Sequence, residues 1–376
     1  MDLQRVYLVG SGSFLPGDPV PSSELDRVLG ELTEAPAAIQ RFVSGAGRRM
    51  MESSGVECRH LAVHPETGAL THTFTDLAYE ACVKAMDDAG VAPNDIDLLV
   101  LALPSYDYST PPSSAILQEK LGIECCAEME IHSNCSGVGK SVQVAYDALR
   151  TGRYRNALVA YSQLSSVYTR ACYFNQAKVT KTNATLRWIL ADGAAAMVLR
   201  GEREGGGEPG EGKHEILGTY VESIGSAKPP AMSAGGAAAD LIHPDRQIPE
   251  VYAEGTHHLD QDFAAVARLA GPTLLDGLVR FTDALEIDSS SVDHYVVSVP
   301  TLQLFEEGLP KFCDRLNIGP DQLKFRSAKC GYCGGAAILI HLDQMARTGE
   351  LEPGQLAVFH SVESSKWMTA GFAVRW

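Results

Sequence analysis

Apolar residues along this chain recur with two different periods, and the switches between them mark alternating strands and helices. Asp97–Ala102 and Asn156–Tyr161 are near-continuous apolar runs of strand length, as expected of strands covered on both faces. Arg5–Gly10, Glu128–Ser133, Asp192–Leu199, Asp293–Val299, Gln355–His360 and Thr369–Arg375 read as further strands, the first ending in a glycine turn. Apolar positions three and four apart predict helices over Thr73–Gly90, Pro111–Gly122, Cys135–Gly152, Phe263–Leu285, Thr301–Leu316 and Ala336–Gly349. Gly90 stands where a helix-ending glycine belongs. This alternation predicts an α/β protein with mainly parallel sheets covered by helices. Gly201–Lys213, with six glycines, four glutamates and a proline, predicts an exposed boundary loop. Residues 201–212 then separate a first half, 1–200, from a second, 213–376. The two halves repeat one style, which predicts an internal duplication.

Composition narrows the function. With 376 residues, 45% of them hydrophobic, the chain can bury one large or two medium cores. A formal net charge of −16 speaks against nucleic acid, since phosphate contacts need clustered Lys and Arg. It also disfavours an anionic membrane surface. No stretch approaches the roughly 18 uninterrupted apolar residues of a membrane span. Met1-Asp2-Leu3-Gln4-Arg5 lacks the basic and apolar regions of a secretory signal, so a cytoplasmic protein is expected. Its nine cysteines are then expected to be mostly reduced. Cys330 and Cys333 form a single CxxC with no second half, so no metal site is expected.

The candidate chemistry lies in His132-Ser133-Asn134-Cys135-Ser136-Gly137-Val138-Gly139. Cys135 falls between a predicted strand and a glycine-containing helix start. There the helix dipole and unpaired N–H groups favour thiolate, the reactive form. Cys135 is therefore the expected acyl-accepting nucleophile. Other segments keep the order of a known family. They are Ser11-Gly12-Ser13-Phe14-Leu15-Pro16, Ser54-Gly55-Val56-Glu57-Cys58-Arg59-His60, Asn134-Cys135-Ser136-Gly137, Ala191-Asp192-Gly193-Ala194-Ala195-Ala196 and Leu351-Glu352-Pro353-Gly354-Gln355. Together they resemble the β-ketoacyl-acyl-carrier-protein synthase III family of the thiolase superfamily. The resemblance implies a thiolase fold, whose duplicated halves form a five-layered αβαβα sandwich. It implies an acyl group delivered as a CoA or acyl-carrier-protein phosphopantetheine thioester, a substrate and not a resident cofactor. It further implies a homodimer, with Tyr106–Pro112 as a loop reaching the neighbouring site. Arg59 would lie near the mouth that takes the pantetheine nucleotide, where a guanidinium suits a phosphate.

The pattern breaks where the family sets a His and an Asn beside its cysteine. Aligning Val299-Pro300 with the family's VPHQAN-type segment puts Thr301 at the His position. Aligning Lys329–Ala337 with its YGNTSAAS-type segment puts Tyr332 at the Asn position. Glu363-Ser364-Ser365-Lys366 replaces a glycine-rich loop. Decarboxylative condensation builds charge on an enolate oxygen that two donors must meet, so condensation is expected to be impaired. Acyl loading on Cys135 is expected to survive. His132 and His243 are candidate replacement bases. His294 begins its strand and should lie far from the sulfur, because such sites cluster at strand carboxyl ends. Ser162–Lys181 and Gly225–Gly236 are candidate pocket-lining segments. Three functions follow: an acyltransferase to a non-carbon acceptor in polyketide-type or fatty-acid-type biosynthesis, a condensing enzyme with an unusual base, or a non-catalytic partner subunit. The missing His and Asn shift the expectation toward the first.

Overall fold

In the computed structural model, which describes residues 3–203, 213–242, 244 and 246–376, the strand order of the first half is repeated in the second. The first half supplies β1 (Arg5–Phe14), α1 (Phe74–Ala89), β2 (Leu98–Leu103), α2 (Ser113–Leu121), β3 (Ala127–His132), α3 (Gly137–Arg150), β4 (Asn156–Gln163), α4 (Lys181–Ile189) and β5 (Gly193–Glu202). The second supplies β6 (His214–Ser223), α5 (Phe263–Ala284), β7 (His294–Val297), α6 (Leu302–Leu316), α7 (Ala337–Thr348), β8 (Leu356–Glu363) and β9 (Met368–Arg375). Strands follow β3-β2-β4-β5-β1 in one half and β7-β8-β9-β6 in the other. The halves join where β1 meets β6, through Tyr7↔Glu215 and Leu8↔His214.

Strand direction repeats with strand order. β3–β2 and β2–β4 are parallel, and β4–β5 and β5–β1 antiparallel. Correspondingly, β7–β8 is parallel, and β8–β9 and β9–β6 antiparallel. The counterpart of β3 survives in the second half as one parallel bridge, Tyr295↔Leu323. Helices α3 and α7 lie between the two halves of the sheet. Helices α1 and α2 cover one outer face, and α5 and α6 the other. The result is the five-layered αβαβα sandwich of duplicated halves.

Two expectations need correction. Most pairings are antiparallel, not parallel. An apolar run reports burial on both faces, and helix layers bury both faces whatever the strand direction. The first strand also does not end at Gly10 but continues to Phe14. Gly10 and Gly12 serve close packing: a Cβ on either would come within 2.5 Å of the backbone of α1. Of the boundary loop, Gly201 and Glu202 belong to β5, and residues 204–212 lie outside the described residues.

Each layer has its own core. Val138, Val142 and Leu149 of α3 and Ile338 and Leu342 of α7 fill the central one, all fully buried. At about 1.5–3 kcal/mol per buried large aliphatic side chain, this layer holds the two halves together. A cap of short helices, Leu25–Leu29, Ala37–Ser44 and Ala46–Glu52, folds over one end of the sandwich around the buried Trp188 of α4.

Candidate active site

The turn between β3 and α3 carries Cys135, and it is built for close contact. A Cβ on Gly139 would come 2.6 Å from the backbone carbon of Ala370, so only glycine lets α3 press this closely on β9. The Tyr161 hydroxyl donates to the Ser133 carbonyl at 3.0 Å and braces the turn. From the other half, the segment before α7 brings up Tyr332. Gly331 has φ +73° and packs so tightly that a Cβ would meet Cγ of Arg59 at 2.6 Å. The Ala191 N–H donates to the Tyr332 carbonyl at 3.0 Å. These constraints set the Tyr332 hydroxyl 3.0 Å from the Cys135 sulfur. Ser298, just past the carboxyl end of β7, donates to the Gly334 carbonyl at 3.4 Å.

The helix terminus is already occupied by an anion. Glu363, 2% exposed at the end of β8, accepts from the Ser136 N–H at 3.1 Å, the Ser136 hydroxyl at 2.5 Å and the Ser133 hydroxyl at 2.7 Å. The Ser365 hydroxyl also donates to it. Lys140 donates to Ser133 at 2.8 Å. Burial alone would raise the Glu363 carboxyl. The hydroxyls of Ser136, Ser365 and Ser133 and the Lys140 charge outweigh it and hold the group below its ordinary value. A carboxylate fixed by this many donors is a weak base.

This overturns the expectation of a ready thiolate. Burial pushes the Cys135 thiol up to about 12; the Tyr332 hydrogen bond opposes that rise and the Glu363 charge adds to it. At the start of α3 the Ser136 N–H goes to Glu363 and not to the sulfur. Tyr332 is itself driven well above its ordinary value, by burial first and then by the neighbouring sulfur, so it stays a neutral phenol.

The remaining candidates are dispersed. Thr301 lines the same cavity as Cys135, but its hydroxyl caps α6 by accepting from the Leu304 N–H at 3.3 Å. His132 is exposed, with Nε2 2.9 Å from the Pro104 carbonyl oxygen. His294 pairs with Gln355 at 3.0 Å, at the opening end of its strand as expected. His243 lies outside the described residues. Among the described residues no histidine is hydrogen-bonded to Cys135. Arg59 does not stand at a surface mouth: it is 1% exposed, lines the inner cavity and donates to Ser22 Oγ at 2.6 Å. Burial lowers its guanidinium to about 10.

Cys135 and Tyr332 lie in the wall of a cavity of about 730 Å³, within the size range of small-molecule sites. Its lining corrects the expected segments. Ser162–Lys181 contributes nothing and Gly225–Gly236 only Met232; the walls come from α4, α5, α6 and the end of β7. Glu363 and Ser298 had no assigned role in the sequence reading. The only signal for Glu363 was a charged residue where glycine was expected. Among the described residues, no cluster of His, Cys, Asp and Glu is placed to hold a metal ion, and no helix is long and apolar enough to cross a membrane.

Comparison with known proteins places this geometry. Residues 129–212 match the family model of 3-oxoacyl-(acyl-carrier-protein) synthase III, and residues 283–376 match the model of its C-terminal part. Among solved structures, AbyA1, a tetronic acid condensing enzyme, is similar at 24% identity with a TM-score of 0.76, over 99% of this chain and all of that one. FabH of Pseudomonas aeruginosa, a 3-oxoacyl-(acyl carrier protein) synthase III, has 21% identity and a TM-score of 0.73, over 99% and 98% of the two chains. OleA of Xanthomonas campestris has 18% identity and a TM-score of 0.77, over 100% and 99%. At these identities the structural likeness speaks for the fold.

Proposed function

This chain is a 3-oxoacyl-(acyl-carrier-protein) synthase III-like member of the thiolase superfamily, a condensing or acyl-transferring enzyme, and on that premise we propose that it loads an acyl group onto Cys135 and passes it to an acceptor other than a decarboxylating malonyl carbanion. One observation carries this reading. The sulfur faces a phenol, Tyr332 at 3.0 Å, where condensation chemistry needs a pair of donors aimed at an enolate oxygen. A single neutral phenol suits a thioester carbonyl better than an enolate.

The loading step balances without an external base. The Cys135 sulfur attacks the carbonyl carbon of a CoA or carrier-protein thioester, and a new sulfur–acyl bond forms. The old carbon–sulfur bond breaks, and the thiol proton leaves on the departing pantetheine sulfur. The Tyr332 hydroxyl steers the thiol and donates toward charge developing on oxygen. An acceptor hydroxyl, amine or thiol then takes the acyl group and returns its proton to Cys135.

Intact-mass measurement after incubation with an acyl-CoA tests this. The wild type is expected to gain one acyl mass, and Cys135→Ala none. Malonyl thioester should release no carbon dioxide; substantial release would favour condensation. A second reading has its own support. A thiol held near 12 and bonded to no histidine among the described residues also suits a partner subunit without catalysis. Absence of any adduct on the wild type would establish that reading over the first.

A further inference from the structure

Among the described residues two arginines are fully buried, Arg59 and Arg187, each 1% exposed. Arg187 is compensated. Asp26 stands 3.3 Å from it, and it donates to the Thr169 carbonyl at 2.7 Å and to the Gly30 carbonyl. Arg59 is not. Its Nη1 donates to Ser22 Oγ at 2.6 Å, but its Nε is buried without a partner, and among the described residues no carboxylate pairs with it. With its guanidinium at about 10, it still carries its charge at neutral pH. A buried charge without a counter-ion is strongly unfavourable. The fold therefore leaves a place for an anion that arrives from outside.

That place is in the wall of the cavity that holds Cys135. Of the charged residues in this wall, Asp276, Glu307, Lys311 and Arg315 are exposed on α5 and α6, and among the described residues Arg59 alone is buried. Its stem is fixed from two sides. A Cβ on Gly331 would lie 2.6 Å from its Cγ, and Ser22, whose hydroxyl donates to the Val56 carbonyl at 2.6 Å, accepts from its Nη1. Tyr332, next along the chain from Gly331, sets its hydroxyl 3.0 Å from the Cys135 sulfur. One loop thus ties a lone cation and the acylation site into the same wall. A guanidinium matches a carboxylate with paired N–H donors. We propose that Arg59 binds a carboxylate at the far end of the acyl group, so that the substrates are short ω-carboxyacyl thioesters such as malonyl or succinyl. This rests on the acyl-transfer reading for its chemistry but not for its binding. Arg59 supplies charge and hydrogen bonds and enters no bond change. Loss of carbon dioxide would strip the guanidinium of its partner, so the ion pair also keeps a malonyl group intact.

Thioesters matched with neutral isosteres test it. Succinyl-CoA is paired with isocaproyl-CoA and malonyl-CoA with isovaleryl-CoA, whose methyls stand where the carboxylate oxygens were. The members of each pair compete at equal concentration for the wild type, read by intact mass. In at least one pair the carboxyacyl adduct is expected to exceed the neutral one by about tenfold or more. Calorimetry repeats the comparison on Cys135→Ala, where no covalent step can occur. The same preference is expected in Kd, lost when Arg59→Met is added and partly kept with Arg59→Lys. The comparisons that leave Arg59 in place decide the matter even where Arg59→Met does not fold. Equal loading within both pairs, equal binding within both pairs, or a preference that survives in folded Arg59→Met overturns the assignment. Both members of a pair carry the same CoA, so its phosphates produce no preference. An equal loss of affinity for both members in Arg59→Met would place Arg59 at a phosphate and overturns the assignment too. Tighter carboxyacyl binding to Cys135→Ala with no adduct on the wild type defeats the acyl-transfer reading and leaves the Arg59 site standing.

Discussion

The two halves share a strand order and differ in their outer helix layers. In the first, α1 lies flat on the sheet, with Leu77, Ala78, Ala81 and Ala85 all fully buried. The glycines of β1 let it approach to backbone contact. In the second, α5 and α6 share one apolar cluster, and both also line the cavity that holds Cys135. The turns leading into the central helices differ as well. The first half keeps a clean strand before Cys135; the second reduces that strand to the Leu323 bridge, and a longer loop delivers Tyr332. Duplication therefore fixes the sheets and the central layer, where each side chain is shared by both halves. The outer layer and the loops answer to one half only and can diverge.

That contrast can be broken at its tightest point first. Gly139→Val should force α3 away from β9 and cost about 3 kcal/mol by overpacking, seen as a lower urea midpoint. Asp192→Ala should cost about 2 kcal/mol, because Asp192 accepts from the Ala62 N–H at 2.7 Å and the Ser166 N–H at 2.9 Å and would leave both orphaned. Glu363→Gln acts across the halves. It removes a charge that holds the Cys135 thiol up, so iodoacetamide alkylation at about pH 8 should accelerate by up to about tenfold. In wild type the alkylation rate should keep climbing as pH approaches about 12, since only the thiolate reacts. A wild-type plateau near neutrality would refute the account of Glu363. In the outer layer of the second half Gly308→Ala should stabilise by about 0.5–1 kcal/mol, because its Cβ would meet only the Phe312 ring, at an ordinary contact distance of 3.7 Å, and alanine favours the helix. A loss there as large as at Gly139 would remove the contrast.

Much of the scaffold was legible from the sequence because its signals are local. The apolar runs at Asp97–Ala102 and Asn156–Tyr161 and the helical stripe of Cys135–Gly152 are each found within two residues of their predicted bounds. Strand β6 was not read. His214–Ser223 carries polar residues and is only partly buried, so it lacks the continuous apolar signature. The cap helices are too short for a period to declare itself. At the site, Cys135 was visible through its motif and Tyr332 through the aligned loop. The state of the sulfur was not, since it depends on Glu363, which is 228 residues away in sequence and reaches the turn only after the halves pack (363 − 135). The cavity was equally hidden. The cavity wall depends on how two helices pack side by side, and each stripe alone looks like an ordinary core face.

The carboxylate at the start of α3 also bears on how long the protein lasts. Peroxide and similar oxidants consume thiolates, and they climb from the reversible sulfenic state to sulfinic and sulfonic acids that are not repaired. A sulfur kept protonated by burial, with the Glu363 charge adding to that effect, is spared that chemistry. On the proposed acyl-transfer reading, the feature that slows the first reaction with substrate also shelters the sulfur from damage while idle, trading speed for endurance.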